Sequence, residues 1–298
     1  MSKILISGGS GFLGSKLIPH LKSKGYDCSI LSRKIESGIS SFHWDIKRQT
    51  IDLNAFDQCN TIIHLAGAGL ANKRWTNSYK NEIKESRIKS AQLLFDSLKK
   101  LPQHRIQTFI SASAIGYYGN TGDTWVEEDF HGTEDFLGEI CTAWEKASHQ
   151  FEQLGIRVVI FRIGLVLDRK EGILPALAIP AKFFLGACLG SGKQFMSWIH
   201  HEDLIRMFSH AIEHKDMHGV YNAVAPGPVI QHEFLRTLCS AIHRPLWPFP
   251  VPGFLLNLFL GEKASLVLDG QRVSSEKIRM TDFHFQHTDL RKTLSELV

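Results

Sequence analysis

Short, continuously apolar runs alternate with longer amphipathic segments through the first half of the chain. The apolar runs predict strands covered on both faces of a sheet, because a strand with one solvated face alternates apolar and polar residues. They span residues 3–7, 28–33, 60–67, 106–113 and 156–164. Segments with helical periodicity follow at 12–25, 76–100 and 136–154. This order predicts an α/β fold with a doubly wound parallel sheet.

The rhythm changes after about residue 165, where eight of the ten prolines lie. Dense prolines indicate shorter elements and loops. We therefore expect one domain over residues 1–165 and a smaller, mainly C-terminal lobe over residues 166–298. The run at 218–224 is expected to return to the main sheet as a strand.

The longest apolar stretch, residues 253–268, has the composition of a buried helix. Asn257, Glu262 and Lys263 interrupt it, so it is too short and too polar to cross a bilayer. The N-terminus enters an apolar run without a charged and then apolar leader. These features predict a cytoplasmic protein with no membrane partner.

Charge and cysteine usage exclude other classes. The 298-residue chain carries a net charge of +4 with dispersed Lys and Arg, so no basic tract predicts a nucleic-acid partner. Its five cysteines, at positions 28, 59, 141, 188 and 239, form no C-x-x-C pair. This spacing argues against a disulfide framework or a metal site. A homodimer is compatible with the sequence, which does not determine the oligomeric state.

A glycine-rich turn, GGSGFLG (8–14), joins the first predicted strand to the first predicted helix. Gly8 permits the tight turn, Gly11 allows close approach of a pyrophosphate, and Gly14 lets helix and strand pack. The helix that begins with Phe12 and Leu13 then offers free N–H groups to the phosphates. The context predicts a dinucleotide site in a Rossmann-type fold; the alternative is a turn without a ligand.

The second strand ends in Ser32, Arg33 and Lys34. NAD-preferring sites usually place an acidic residue there for the ribose 2′-hydroxyl. A hydroxyl and a guanidinium instead suit a 2′-phosphate, which Arg binds in bidentate fashion. The sequence therefore favours NADP over NAD, unless Arg33 is simply solvated.

Further motifs extend along the whole chain: HLAGAGL (64–70), RW (74–75), ESRIKSAQLL (85–94), SASAIGYYG (111–119), WEKA (144–147), LGSGKQFMSWIHHEDL (189–204), NAVAPGPV (222–229), RPLWPFPVP (244–252) and LDGQRV (268–273). Together with the glycine-rich turn they resemble the extended short-chain dehydrogenase/reductase superfamily. More narrowly, the chain is similar to the NAD(P)-dependent epimerase family of the SDR39U1 type. The resemblance implies an NADP site between a Rossmann-type domain and a smaller substrate lobe.

The resemblance also implies positions for individual residues. Leu65, Ala66 and Gly67 would line the adenine and ribose end of the cofactor. Ser113 would stand beside the nicotinamide, and Glu82 would lie near the cofactor. For HLAG, the alternative is that small residues serve close packing.

Enzymes of this superfamily use a Tyr as general acid or base, with a Lys four residues later that lowers its pKa. Alignment of the predicted helix after SASAIGYYG places Cys141 at the tyrosine position and Glu145 at the lysine position. A carboxylate disfavours the thiolate instead of promoting it. Cys141 is therefore either half of an unusual catalytic pair or a half-buried thiol near a surface or structural Glu145.

Other side chains are candidates for the missing chemistry. Tyr117 and Tyr118 follow the strand that carries Ser113, so one of them could face the cofactor; the alternative is aromatic packing. Arg162 is included among the cofactor-binding candidates, with contact to an anionic substrate or the holding of a loop as alternatives.

Two histidines and two tryptophans have similar alternatives. His200 and His201 could lie between the lobes or be structural. Trp75 and Trp198 could form a pocket wall or pack in the core.

The leading hypothesis is an NADP-dependent oxidoreductase or epimerase-like enzyme acting on a small polar carbonyl or alcohol. Ser113 would hydrogen-bond the substrate oxygen, and the proton donor is unassigned. The alternative is a non-catalytic NADP(H)-binding redox sensor or interaction protein, which the missing Tyr and Lys motivate.

Overall fold

The computed structural model describes residues 3–34 and 38–298. Its strands are β1 Lys3–Ser7, β2 Asp27–Ser32, β3 Ser40–Asp45, β4 Thr50–Ile51, β5 Cys59–His64, β6 Thr108–Ala114, β7 Trp125–Val126, β8 Arg157–Ile163, β9 Leu165–Leu167, β10 Phe195–Met196, β11 Trp198–His200, β12 Gly219–Ala223, β13 Val229–Ile230 and β14 Arg272–Val273. Its helices are α1 Phe12–Ser23, α2 Asn77–Lys99, α3 Phe136–His149, α4 Leu174–Lys182, α5 His201–Glu213, α6 Gln231–Ala241, α7 Gly253–Leu260, α8 Ser265–Leu268, α9 Glu276–Arg279 and α10 Leu290–Leu297.

Eight strands form the central sheet, in the order β12-β8-β6-β5-β1-β2-β3-β4. All neighbours are parallel except β3 and β4. The chain runs outward from β1 to β3 and then crosses to β5 on the other side of β1. This reversal creates a crevice at the carboxyl ends of β1 and β5, which is where ligands bind in doubly wound folds. The predicted α/β class with a Rossmann-type parallel sheet is confirmed.

The sheet is buried on both faces, as its continuously apolar strands predict. Ile4 and Ile6 of β1 point into a core that includes α1 and α5, whereas Leu5 points into a second core that includes α2. Because successive side chains of a strand point to opposite faces, every residue of such a strand must be apolar or hydrogen-bonded. Buried His64 on β5 follows this rule, since both ring nitrogens meet serine hydroxyls.

The second half of the chain supplies the outermost strand and a smaller lobe. Strand β12 pairs with β8 at the sheet edge, at the position expected for the run 218–224. Three two-stranded pairs, β10-β13, β11-β9 and β14-β7, lie outside the main sheet. A third apolar core, which includes Trp198, Phe234 and Leu294, packs this lobe.

Two features differ from the sequence-based expectations. The stretch 253–268 is not a buried helix: α7 buries none of its residues, and Phe254, Leu258 and Phe259 are each about 70% exposed. Apolar composition alone could not show that no other element covers it. Strands β3 and β4 were not predicted, because SSFHWD mixes polar with aromatic residues. No helix among the described residues has the length and apolarity needed to cross a membrane.

Candidate functional site

The glycine-rich turn lies at the carboxyl end of β1, against the chain that leaves β5. Gly8 has a φ of 72°, and a Cβ there would lie 2.8 Å from the carbonyl carbon of Leu65 and 2.9 Å from the nitrogen of Ala66. A Cβ on Gly14 would overlap the carbonyl oxygen of Gly8. The two glycines therefore let the turn, α1 and β5 meet at backbone contact distance, as the spacing predicts.

The turn leaves the amino end of α1 open. Its N-cap is Gly11, and no side chain among the described residues caps the helix. The backbone N–H groups of the first turn, including those of Phe12 and Leu13, therefore have no intrahelical acceptor and are suited to an anion. These residues fit the diphosphate of a dinucleotide.

The neighbouring strand ends carry the other predicted cofactor residues. Ser32 is buried at the end of β2 and its hydroxyl accepts a hydrogen bond from the Lys34 backbone at 3.2 Å. Arg33 is exposed beside it. Ala66 is buried after β5, and Gly67 is exposed. Both strands flank β1, so the topology brings these residues to the same sheet edge as the glycine-rich turn.

Glu82 lies on α2 with a side chain that is 53% exposed and 3.5 Å from the Lys73 ammonium. This is a solvated ion pair of small energetic weight. No contact places Glu82 with the residues of the glycine-rich turn, and its predicted nearness to the cofactor stays a prediction.

The helix that lacks the superfamily tyrosine and lysine contains a buried charge pair. Glu145 accepts two hydrogen bonds of 2.9 Å from Arg162 of β8, one on each carboxylate oxygen. Ser113 of β6 donates a third, at 2.6 Å. Burial alone lowers the pKa of Arg162, but the Glu145 carboxylate outweighs burial and raises it. Glu145 is therefore a structural anion, which was one of the two predicted alternatives.

This arrangement changes the roles available to Ser113 and Arg162. The hydroxyl hydrogen of Ser113 is directed to Glu145, so Ser113 does not present it to a ligand in this conformation. Arg162 also donates to the Tyr118 hydroxyl and to the Glu128 backbone oxygen, each at 2.9 Å. The guanidinium holds the segment around Glu128, which agrees with the loop-holding alternative and not with a place at the glycine-rich turn.

The two tyrosines pack around the same guanidinium. Tyr118 is buried and donates to Asn222 of β12 at 2.7 Å, and burial raises its pKa to about 12. The Tyr117 ring stacks on Arg162, with its centroid 3.5 Å from Cζ. Neither ring lines the cavity described below. Aromatic packing therefore accounts for both positions.

Cys141 is buried, with 3% of its surface exposed, and not half-buried as predicted. Burial, together with the Glu145 carboxylate, raises the pKa of its thiol to about 12. The thiol is therefore protonated at neutral pH. It cannot act as a thiolate there, although it does line a cavity.

That cavity has a volume of about 230 Å³ and lies between the sheet edge and the smaller lobe. The residues after β6 and β8, Ala114 and Gly164, form one wall, and α3 forms another through Cys141 and Trp144. The lobe forms the rest of the wall. Its apolar side chains there are Leu165, Ile173, Leu177, Leu189, Phe195, Met196, Leu266 and Val267, and its polar ones are Gln194, Gln231, Ser265, Asp269 and Gln271. The site is therefore an apolar chamber with few polar groups, as small-molecule sites usually are.

The remaining predicted candidates lie outside this cavity. His200 is buried, caps the amino end of α5 and stacks on His287, and burial lowers its pKa to about 4. His201 lies 3.3 Å from Asp168. Trp75 donates to the Leu70 backbone, and Trp198 is fully buried in the lobe core. These positions agree with the structural alternatives.

Sequence reasoning missed Arg87 and Trp144, which both line the cavity. A signal was present on α2. Arg87 occupies the buried face of the helix in register with Ile83, Ala91 and Leu94. A charged residue on such a face needs a partner or a function.

The fold and this site define a class: a nucleotide-binding α/β protein of the extended short-chain dehydrogenase/reductase type. A sequence model of the NAD dependent epimerase/dehydratase family matches residues 4–224, and a model of a domain of unknown function, DUF1731, matches residues 251–297. The chain therefore belongs to the NAD-dependent epimerase/dehydratase family, in its SDR39U1-type branch. The predicted family is confirmed.

Relatives match over nearly their full length. The chain is 39% identical to an epimerase family protein of Staphylococcus saprophyticus, over 100% of both chains. It is 33% identical to one of Mycobacterium leprae, over 98% of this chain and 94% of the relative.

Solved structures of similar proteins agree with this family and fold. Human epimerase family protein SDR39U1, solved with NADPH, shares 29% identity at a TM-score of 0.88, covering 99% of this chain and 98% of that one. UDP-glucuronic acid 4-epimerase of Bacillus cereus, solved with UDP-glucuronic acid and NAD, matches 98% of this chain and 96% of that one at 18% identity and a TM-score of 0.78, which supports the fold alone.

Proposed function

We propose that the protein is an NADP-dependent oxidoreductase or epimerase-like enzyme that acts on a small carbonyl or alcohol substrate. One observation carries the proposal: the carboxyl edge of one sheet holds both an open helix terminus for a diphosphate and a largely apolar cavity of about 230 Å³. The cavity offers a small substrate a place next to the dinucleotide site.

The preference for NADP rests on the end of β2. Arg33 is exposed there next to Ser32, and no acidic residue stands at 32, 33 or 34. A guanidinium stabilises a 2′-phosphate through charge-assisted hydrogen bonds, which a ribose hydroxyl cannot match. The human relative solved with NADPH supports the same preference.

Several groups of the chain would contribute to this function. The backbone at Phe12 and Leu13 binds the diphosphate, and Gly8 keeps that position open. When bound, the cofactor supplies or accepts the hydride. The apolar walls exclude water, and the Glu145–Arg162 pair fixes the spacing of α3 against β6 and β8.

For the proton we propose Asp269, which lies on the cavity wall. Burial, together with the nearby Asp135 carboxylate, raises the pKa of Asp269 and so favours its protonated form. If Asp269 is the proton donor, Asp269→Asn should lower kcat more than it changes KM and should remove the loss of activity that occurs as pH rises through the pKa of Asp269.

Thermal melts test the cofactor assignment. A ligand present at 100 times its Kd stabilises a protein by about 2.7 kcal/mol. NADPH should raise Tm more than NADH at equal concentration, and Arg33→Ala should weaken NADPH much more than NADH. The matched control, Arg236→Ala on the exposed side of α6, should leave both unchanged. Equal shifts by NADH and NADPH would contradict the assignment.

The second candidate is a non-catalytic NADP(H)-binding sensor. The observation that favours it is the replacement of the tyrosine and lysine by a protonated thiol and a paired glutamate. NADPH oxidation over a broad carbonyl panel separates the two. Tight NADPH binding without turnover of any carbonyl would favour the sensor.

A further inference from the structure

We propose that the cavity recognises a carboxylate on its substrate, through the guanidinium of Arg87 and the indole N–H of Trp144. The inference rests on the proposed function and narrows its substrate to a small acid with an apolar body. It stands on three observations about the cavity wall: an uncompensated buried cation, an unpaired buried donor next to it, and an apolar chamber of limited volume.

Arg87 is a buried cation whose charge the protein does not balance. It is 9% exposed, and no carboxylate of the described residues lies within ion-pair distance of it. Its Nη1 donates to the backbone oxygens of Ala68, at 3.1 Å, and Ile83, at 2.9 Å. These bonds fix the guanidinium but use only one of its three nitrogens. The contrast is Arg162, which is also buried and has Glu145 as its partner.

Trp144 supplies a second donor beside this cation. Its ring lies under the guanidinium, with the centroid 4.9 Å from Cζ of Arg87. The indole Nε1 is buried without a hydrogen-bond acceptor among the described residues. The Trp144 side chain lines the cavity and a buried N–H is normally paired, so a ligand acceptor that reaches Nε1 would satisfy it. Charge and donor together suit an oxyanion, and a planar guanidinium suits a carboxylate.

The rest of the wall sets the body of the ligand. Most lining side chains are aliphatic or aromatic, so the cavity favours an apolar body. Asp135 and Asp269 also line it, but they border a neighbouring surface depression that includes Trp75 and Phe136. The Asp135 carboxylate therefore disfavours an anion at this side of the cavity. The oxyanion belongs at the side of Arg87 and Trp144.

A phosphate of the cofactor is the rival source of this anion. A Cβ on Gly67 would lie 3.0 Å from Cζ of Arg87, and Gly67 follows the strand next to the glycine-rich turn. The turn already provides a diphosphate site with its own unpaired N–H groups. We therefore assign Arg87 to the substrate, and the experiment separates the two sources.

The test measures binding of 3-phenylpropanoate and its uncharged amide, 3-phenylpropanamide, by calorimetry to protein saturated with NADP⁺. NADPH and NADP⁺ affinities are measured first, so a failure of the proposed function appears as absent cofactor binding. The wild type should bind the carboxylate about tenfold tighter than the amide, or more, as expected for a charge-assisted bidentate contact.

Two variants locate the preference. Arg87→Met should abolish the preference for the carboxylate over the amide and change NADPH affinity less than about threefold. This pair of results would show that Arg87 binds the substrate and not a cofactor phosphate. Trp144→Phe keeps the ring and removes only the indole N–H, so it should reduce the preference in part even if Arg87→Met folds poorly. Arg236→Met, the same change on the exposed face of α6, should have no effect.

Three results would contradict the carboxylate site or the role of Arg87 in it. A wild type that binds the amide as tightly as the carboxylate, or binds neither, overturns the carboxylate site. An Arg87→Met variant that loses NADPH affinity and keeps the carboxylate preference reassigns Arg87 to the cofactor phosphates. Wild-type preference in both Arg87→Met and Trp144→Phe also overturns the proposal.

Discussion

The pair of Glu145 and Arg162 is expected to make a large contribution to stability, because both charges are out of water. Glu145 is 6% exposed and Arg162 is 3% exposed. Two hydrogen bonds of 2.9 Å join them, and Ser113 adds one of 2.6 Å. Removal of one partner from such a pair costs about 3–5 kcal/mol, since it leaves a buried charge uncompensated. We expect Glu145→Gln, which keeps the side-chain volume, to lower the free energy of unfolding by about this amount.

A double variant separates the pair from its surroundings. Arg162→Met alone should cost a similar amount, because it leaves the Glu145 carboxylate buried and unpaired. Glu145→Gln/Arg162→Met leaves neither charge, so its loss should fall short of the sum of the single losses by about 1–3 kcal/mol. Urea denaturation followed by tryptophan fluorescence measures each free energy. Arg236→Met should stay within about 0.5 kcal/mol of the wild type.

Glu145→Lys is the most demanding variant, because it restores the residue type of the superfamily. A lysine there would place a second cation against Arg162 in a buried site. We therefore expect it to destabilise the protein at least as much as Glu145→Gln. A Glu145→Lys variant as stable as the wild type, or strictly additive single losses, would refute the view that Arg162 depends on Glu145.

Three other outcomes follow from single positions. Gly8→Ala should lower the free energy of unfolding by about 2 kcal/mol or more and abolish the NADPH-induced rise in Tm, since the new Cβ meets the Leu65 backbone at 2.8 Å. Gly25→Ala is the control: Gly25 also has a positive φ but faces open space, so this change should cost about 1 kcal/mol and leave NADPH binding normal. Burial lowers the pKa of His64 to about 4, so this side chain is neutral in the folded protein. The free energy of unfolding should therefore be constant above pH 6.5 and fall by about 3 kcal/mol towards pH 4. Urea titrations at each pH measure this slope, and His64→Gln should flatten it. Cys141, with a pKa of about 12, should resist a thiol-specific reagent at pH 8 until the protein unfolds; rapid labelling of the native protein would contradict its burial.

Much of the fold follows from local pattern. Continuously apolar runs such as 3–7 and 60–67 require cover on both faces, so they determine a parallel sheet before any contact is known. Among the strands missed, β3 and β4 belong to the main sheet, and they contain polar and aromatic residues whose burial depends on neighbours. The exposed α7 shows the opposite error: its residues are mostly apolar, but none of them is buried.

The candidate site divides along the same line. The glycine-rich turn is a local device, and its spacing alone predicts the geometry at Gly8 and Gly14. The role of Glu145 is not local. The pairing of β6 with β8 brings Ser113 and Arg162 to α3, and no spacing within residues 135–147 indicates that a guanidinium lies opposite Glu145.

The sequence by itself therefore determined the class of fold, the dinucleotide turn and the absence of the tyrosine and lysine pair, because each is written in residues that are neighbours along the chain. The tertiary structure decided which interactions stand in place of the tyrosine and lysine. It turned Glu145 inward to Arg162, left Arg87 on a cavity wall with no carboxylate partner among the described residues, and buried the Cys141 thiol. Burial and charge balance depend on residues far apart in sequence, so the chemistry of this site is decided where the strands and helices meet.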